Sequence, residues 1–201
     1  MRKIGIMGGT FDPPHTGHLI IAEYVANEIG LETVLFVPTG KISYKKDMGT
    51  SSADRFHMTE LAVEDNPVFD ICDVEITRDG YTYTADTLKI LHNEFEDAHF
   101  YFIVGADSLD YMDNWKMPEK VFSLCTVVAV GRQGYSVRDC EEKIRQLENK
   151  FNADIRLVDM PIIELSSSDI RERIKSGKSA KYMVPDCVIS YIEQNKLYIG
   201  E

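Results

Sequence analysis

Ile-Gly-Ile-Met-Gly-Gly-Thr-Phe-Asp-Pro-Pro-His-Thr-Gly-His-Leu, residues 4–19, decides how the rest of the chain is read. The apolar run Ile4, Ile6, Met7 predicts a strand over residues 3–7 that stops at Gly8-Gly9-Thr10. Two prolines then preset the backbone before an amphipathic segment that begins near Gly17. Strand, glycine turn and helix N-terminus are the parts of a phosphate cradle, with Gly8, Gly9, Thr10 and Phe11 as its candidate lining. Glycines let the backbone approach an anion, and free N–H groups and the positive end of the helix dipole face it. His15 and His18 lie three apart, on one side of the first helical turn. Imidazolium groups there can stabilise the charge that builds up when a phosphate ester bond breaks. Two plainer readings stand beside this one: histidines that only start a helix, or a zinc site. The zinc site needs a third and usually a fourth ligand, and His57, His92 and His99 fall in no ligand pattern.

Outward from this segment the pattern alternates. Helices are predicted over 17–27 (closed by Gly30), 53–64, 84–95, 118–123, 138–151, 168–176 and 185–194, and further strands over 33–37, 69–76, 99–104, 126–130 and 154–158. Thr84 or Asp86 is the expected N-cap of the third helix. Strands that read as unbroken apolar runs between helices imply a mostly parallel sheet covered on both faces. Ligands of such sheets bind at the C-terminal edge, where strand order reverses. Gly8-Gly9-Thr10, Pro38-Thr39, Gly105-Ala106-Asp107-Ser108 and Gly131-Arg132 all follow predicted strands, so one site along one edge is expected. A polar loop over 39–52 carries Lys41, Lys45 and Lys46. Repeats, low-complexity segments and linkers are missing from the sequence, which reads as one domain.

The second constellation is Leu165-Ser166-Ser167-Ser168-Asp169-Ile170-Arg171. Its plain reading is a helix cap, with Ser168 or Asp169 accepting orphan N–H groups. A capped N-terminus also presents amides and hydroxyls to an anion, and Arg171 adds a planar cation on the first turn. Asp107 at a strand end is either a turn former or an acceptor for a ribose hydroxyl. Trp115, the single tryptophan, is either half-buried packing or an indole that stacks on an aromatic ring. Thr84 with nearby backbone N–H groups can bind a carboxylate.

These motifs carry a resemblance. His15-Thr16-Gly17-His18 fills the four positions of the (H/T)xGH nucleotidyltransferase signature. The spelling Gly-Gly-Thr-Phe-Asp-Pro-Pro-His-x-Gly-His-Leu resembles the bacterial nicotinate-nucleotide adenylyltransferases. Leu165–Arg171 is similar to that family's Ile-Ser-Ser-Thr-x-Ile-Arg signature, with Leu165 for Ile and Ser168 for Thr. Tyr81-Thr82-Tyr83-Thr84-Ala85-Asp86-Thr87-Leu88 resembles its Ser/Tyr-Tyr-Thr-x-Asp-Thr-Leu run, and Gly105-x-Asp107 its Gly-x-Asp. Two departures stand out: Gln133 replaces proline after Arg132, and Ile42-Ser43-Tyr44-Lys45 replaces Pro-Pro-His-Lys/Arg.

The resemblance implies an α/β, Rossmann-like doubly wound fold, with the C-terminal helices (about 166–197) completing an ATP site. It implies transfer of the AMP moiety of ATP to nicotinate mononucleotide, giving deamido-NAD and pyrophosphate. His15, His18 and Arg171 would be catalytic. Gly8, Gly9, Thr10, Phe11, Gly105, Asp107, Ser167 and Ser168 would bind ATP. Thr39, Lys45, Thr84, Trp115 and Arg132 would bind the mononucleotide. Mg²⁺ would arrive with ATP rather than in a side-chain cage, with Asp12 either orienting its water shell or capping a turn. The alternatives are a nicotinamide mononucleotide or other phosphate acceptor, or a nucleotide-binding protein without catalysis.

Size and charge set the outer bounds. At 201 residues the chain is one domain's worth. A formal charge of −11 disfavours a general nucleic-acid binder. No apolar stretch approaches the ~20 residues that span a bilayer, and the apolar run after Arg2 and Lys3 is too short for a signal peptide. Cys72, Cys125, Cys140 and Cys187 form no CxxC pair, so reduced thiols in a cytoplasmic protein are expected. Homo-oligomerisation stays open.

Overall fold

The computed structural model describes residues 1–41, 50–131, 137–161 and 163–199, with 137–139 described as backbone only. Six parallel strands form one sheet: β1 (Arg2–Gly9), β2 (Thr33–Pro38), β3 (Phe69–Ile71), β4 (Ala98–Gly105), β5 (Thr126–Val130) and β6 (Ile155–Val158). Their spatial order is β3-β2-β1-β4-β5-β6, which puts the reversal between β1 and β4. Helices α1 (Thr16–Ile29), α2 (Ser52–Val63), α3 (Thr84–Glu94), α4 (Pro118–Leu124), α5 (Val137–Phe151), α6 (Ser167–Lys175) and α7 (Asp186–Gln194) complete the set. The expected doubly wound α/β architecture is what the chain adopts.

Side-chain alternation explains the layers. Ile4, Ile6, Phe100, Phe102, Val104, Val127 and Ala129 point into one core, with Leu88 and Leu91 of α3 and Leu147 of α5. Tyr101, Ile103, Val128 and Val130 point the other way, onto Ala22, Val25 and Ala26 of α1. Both faces of β1, β4 and β5 are covered, so these strands lack a polar face, as their continuous apolar runs implied. A third cluster, Met58, Ala62, Ile170, Val184, Val188 and Ile192, joins α2, α6 and α7. This cluster brings the C-terminal helices back toward the start of the chain.

Two expectations about the elements fail for physical reasons. β1 does not stop at Gly8: Gly8 pairs with Val37 and Gly9 with Pro38, and the Thr39 N–H donates to the Gly9 carbonyl at 2.8 Å. The turn comes instead at Phe11, whose φ is +50°. The absent side chain of Gly9 makes room for that residue, since a Cβ there would lie 3.0 Å from the Phe11 ring. The strand expected over 69–76 shrinks to Phe69–Ile71, because the chain then folds into a turn in which Ile76 and Thr77 donate to the Asp73 carbonyl.

Candidate active site

The C-terminal edge of β1, β2, β4 and β5 opens onto a cleft of about 1020 Å³. Gly8, Gly9, Thr10, Phe11, His15, His18, Thr39, Thr84, Gly105, Trp115, Ser167, Ser168 and Arg171 all line it, as does Asp12. Asp107 does not: it lies in the 3₁₀ turn Ala106–Asp110, and its neighbour Ser108 faces the cleft. Lys45 and Arg132 lie outside the described residues.

His15 is the N-cap of α1, with extended backbone (φ −137°, ψ 164°). Its main-chain N–H donates to His18 Nδ1 at 3.1 Å. A backbone amide can only donate, so Nδ1 is the accepting nitrogen and the ring hydrogen resides on Nε2. The His18 ring stacks on His15 (centroids 3.6 Å apart, 19° between planes) and meets the Phe11 edge at 5.0 Å. Three contacts therefore fix the imidazole as a donor of known tautomer. At Gly17 the packing is tight: a Cβ would lie 3.0 Å from His15 Nδ1 and 3.3 Å from Ile163 Cγ2, so any side chain there would press on the His15 ring.

The far end of the chain closes this edge. Ser167 Oγ donates to the Pro13 carbonyl at 2.8 Å, and Arg171 Nη1 to the Asp12 carbonyl at 2.7 Å. Thr16 Oγ1 donates to the carbonyls of Tyr182 and Met183, both at 3.1 Å. Segments some 154 to 167 residues apart are thus pinned to one another. The α6 cap is Ser166, two residues before the first of the expected candidates: its hydroxyl accepts from the Asp169 N–H at 3.1 Å and donates to Asp169 Oδ2 at 2.7 Å. Ser168 joins through its hydroxyl, 3.0 Å from that of Ser166.

Asp12 is 3% exposed. Its Oδ1 accepts from the Tyr198 hydroxyl at 2.6 Å, and its Oδ2 lies 3.8 Å from Arg171 Nη1. Burial first, then the adjacent carboxylate, pushes the Tyr198 hydroxyl well above the usual phenol range. Tyr198 therefore stays a hydrogen donor at any working pH. Among the described residues, no group of three or more His, Cys, Asp or Glu side chains is arranged to hold a metal ion.

Behind the cradle sits a residue the sequence reading missed. Arg55 of α2 is 1% exposed; Nη1 donates to the Thr10 carbonyl at 2.8 Å and Nη2 to the Thr39 carbonyl at 2.7 Å. It clips the ends of β1 and β2 together beneath the cleft. Burial lowers its pKa, and the charges of Asp12 and Glu75 act in the opposite sense. Glu75, also missed, accepts from Thr87 Oγ1 at 2.7 Å, and both line the cleft.

At the opposite end of the cleft, Trp115 is half-buried and meets Phe102 edge-to-face (6.0 Å, 89°), so it packs and lines the cleft at once. The expected side-chain cap of α3 is missing. Tyr83 is the N-cap, with extended backbone and no side-chain hydrogen bond to the first turn. Thr84 therefore opens a helix whose N-terminus faces the cleft uncapped.

Residues 6–173 match the model of the cytidylyltransferase-like family. The chain belongs to that family. Among its relatives, a protein of Lachnoclostridium phytofermentans named probable nicotinate-nucleotide adenylyltransferase is 44% identical, over 99% of this chain and 100% of that one. A protein of the same name from Desulfitobacterium hafniense is 42% identical over 98% and 96% of the two chains. A solved structure of Plasmodium falciparum nicotinic acid mononucleotide adenylyltransferase complexed with NaAD superposes with a TM-score of 0.81 at 21% identity, covering 98% of each chain. That likeness carries the cytidylyltransferase-like fold over the whole chain.

Proposed function

We propose that the chain is a nicotinate-nucleotide adenylyltransferase, joining the AMP moiety of ATP to nicotinate mononucleotide to give deamido-NAD and pyrophosphate in NAD biosynthesis. One observation carries the reading. The two phosphate motifs, 15–18 and 166–171, line one cleft, and Ser167 and Arg171 of the second are bonded to the Pro13 and Asp12 carbonyls just ahead of the first. Trp115 and Thr84, an indole and a helix-terminal residue suited to a pyridine carboxylate, line the same cleft. The relatives' shared name agrees with it.

The chemistry follows from the side chains. The 5′-phosphate oxygen of the mononucleotide attacks the α-phosphorus of ATP and pyrophosphate leaves, so both reacting oxygens come from the substrates. The protein's contribution is positioning and charge neutralisation. His18 Nε2–H is the fixed donor to the developing charge, His15 buttresses it, and Arg171 supplies the cation. Gly8–Phe11, Ser167 and Ser168 hold the triphosphate, with Gly105 on the ribose side. Thr39, Thr84 and Trp115 hold the mononucleotide, joined by Lys45 and Arg132. Among the described residues no carboxylate cluster is built to cage a metal, and the buried Asp12 carboxylate, bonded to Tyr198, fits a metal that would come with the phosphates and water. Mg²⁺ arriving with ATP would neutralise phosphate charge, and Asp12 would hold its water shell. We read residues 1–201 as one domain, working in the reducing cytoplasm that four unbridged cysteines suit.

Pyrophosphate release measured with ATP plus each mononucleotide tests the reading. Release is expected with both, and kcat/KM is expected to be higher for nicotinate mononucleotide. Equal values would refute the acceptor assignment, and no release with either would refute the reaction.

A further inference from the structure

After α7 the chain turns back toward its own start. Lys196 and Tyr198 both take left-handed backbone, with φ of +53° and +62°, a region that side chains avoid unless their contacts demand it. At Tyr198 the contacts are specific. Its ring packs on the cluster that joins α2, α6 and α7, and its hydroxyl donates to Asp12 Oδ1 at 2.6 Å, 186 positions away in sequence. The Asp12 carboxylate is buried, and its other oxygen, Oδ2, lies 3.8 Å from Arg171 Nη1. A close charge-assisted bond would measure about 2.8 Å. Arg171 instead gives Nη1 to the Asp12 main-chain carbonyl at 2.7 Å, and its side chain lines the cleft. Carboxylate and guanidinium are thus neighbours held short of full pairing, with Tyr198 on the far oxygen.

We infer that Tyr198 is a positioning residue for adenylyl transfer: its hydroxyl holds the Asp12 carboxylate back from Arg171 and so leaves the guanidinium to the triphosphate. The inference rests on the adenylyltransferase reading, in which Arg171 supplies the cation. Without the hydroxyl, Asp12 Oδ1 becomes a buried carboxylate oxygen that has lost its donor, an arrangement that is costly to leave unmet. Arg55 cannot meet it with its Nη groups, which donate to the Thr10 and Thr39 carbonyls. Arg171 can, by closing from 3.8 Å to a direct pair with the carboxylate, and that pair would cancel the charge the phosphates require. A phenol suits the task because it remains a donor. Burial and the adjacent carboxylate keep its proton in place across the working pH range.

Tyr198→Phe in the full-length chain keeps the packed ring and removes only the hydroxyl. ATP affinity, read by calorimetry, and kcat/KM for ATP are each expected to fall about tenfold, the scale of losing a hydrogen bond to a charged group. The KM for nicotinate mononucleotide should move by less than about twofold. In an Arg171→Met background the same change should cost less than about twofold in ATP affinity, because the cation it protects is gone. Equal tenfold losses in both backgrounds would overturn the inference, as would an unchanged ATP affinity in Tyr198→Phe. A loss shared equally by both substrates beside a lower Tm, or a variant that does not fold, would assign Tyr198 to packing alone and overturn it too. All of these results leave the adenylyltransferase reading standing; that reading fails only if the wild-type chain forms no dinucleotide at all.

Discussion

Replacing His18 by alanine should lower kcat by about 10²–10³, the cost of removing one donor aimed at developing charge in a transition state. The effect should fall on kcat more than on the KM for ATP, because a donor matched to the transition state contributes less to ground-state binding. The variant should still fold. It loses the acceptor for the His15 N–H and a stacked ring, a loss of about 1 kcal/mol on the scale of a helix cap. The tautomer makes the expectation sharper. With Nδ1 accepting from the main chain, the neutral ring already presents Nε2–H as a donor, so the group needs no protonation to act. Steady-state kinetics beside thermal melting decides the matter. Wild-type turnover would remove His18 from the mechanism, and an unfolded variant would make it structural.

The second large effect is at Arg55, which is buried and does not itself line the cleft. Arg55→Met keeps an unbranched side chain in the buried position but leaves the Thr10 and Thr39 carbonyls without their donor. It also removes the cation that faces Asp12 and Glu75. Taking one partner from a buried charged network costs about 3–5 kcal/mol. For a chain of this size that corresponds to a fall in Tm of about 10 °C. In the fraction that remains folded, KM should rise for both substrates, since Thr10 lies in the phosphate cradle and Thr39 in the acceptor half. Melting curves and both KM values test this. A Tm within 2 °C of wild type with unaltered KM values would contradict the role assigned to Arg55.

The contrast between these two residues shows what the sequence could reveal. His18 stands in a local pattern, three residues from His15 and one from a glycine, and the pattern is enough to mark it. The buried strands were equally legible, because Phe100–Val104 and Val127–Val130 are covered on both faces and need no polar alternation. Arg55, Tyr198 and Glu75 act through partners 16 to 186 positions away or, for Glu75, through a threonine on a different element. Local pattern carries no record of such pairings. Arg55 did leave a trace: it shares the buried face of α2 with Met58, Thr59 and Ala62, and a charge on an apolar helical stripe calls for a buried partner. The misplaced caps have a similar cause. Ser166, Ser168 and Asp169 offer near-equal capping chemistry, so only the exit angle of the chain, set by Ser167 on Pro13 and Arg171 on Asp12, selects Ser166. At α3 the hydroxyl and carboxylate of Thr84 and Asp86 were available, yet the extended backbone of Tyr83 starts the helix and leaves its N-terminus open to the cleft.

The central claim is direct transfer of an adenylyl group between two substrates held in one cleft, without a covalent intermediate on the protein. ATP labelled at the α-phosphorus, incubated with the chain, Mg²⁺ and nicotinate mononucleotide and then quenched, tests it most directly. The account predicts that the label moves into a product with the mass of deamido-NAD, matched one to one by unlabelled pyrophosphate, with none retained on protein. Label that stays in ATP, or that appears on the protein chain, would contradict it.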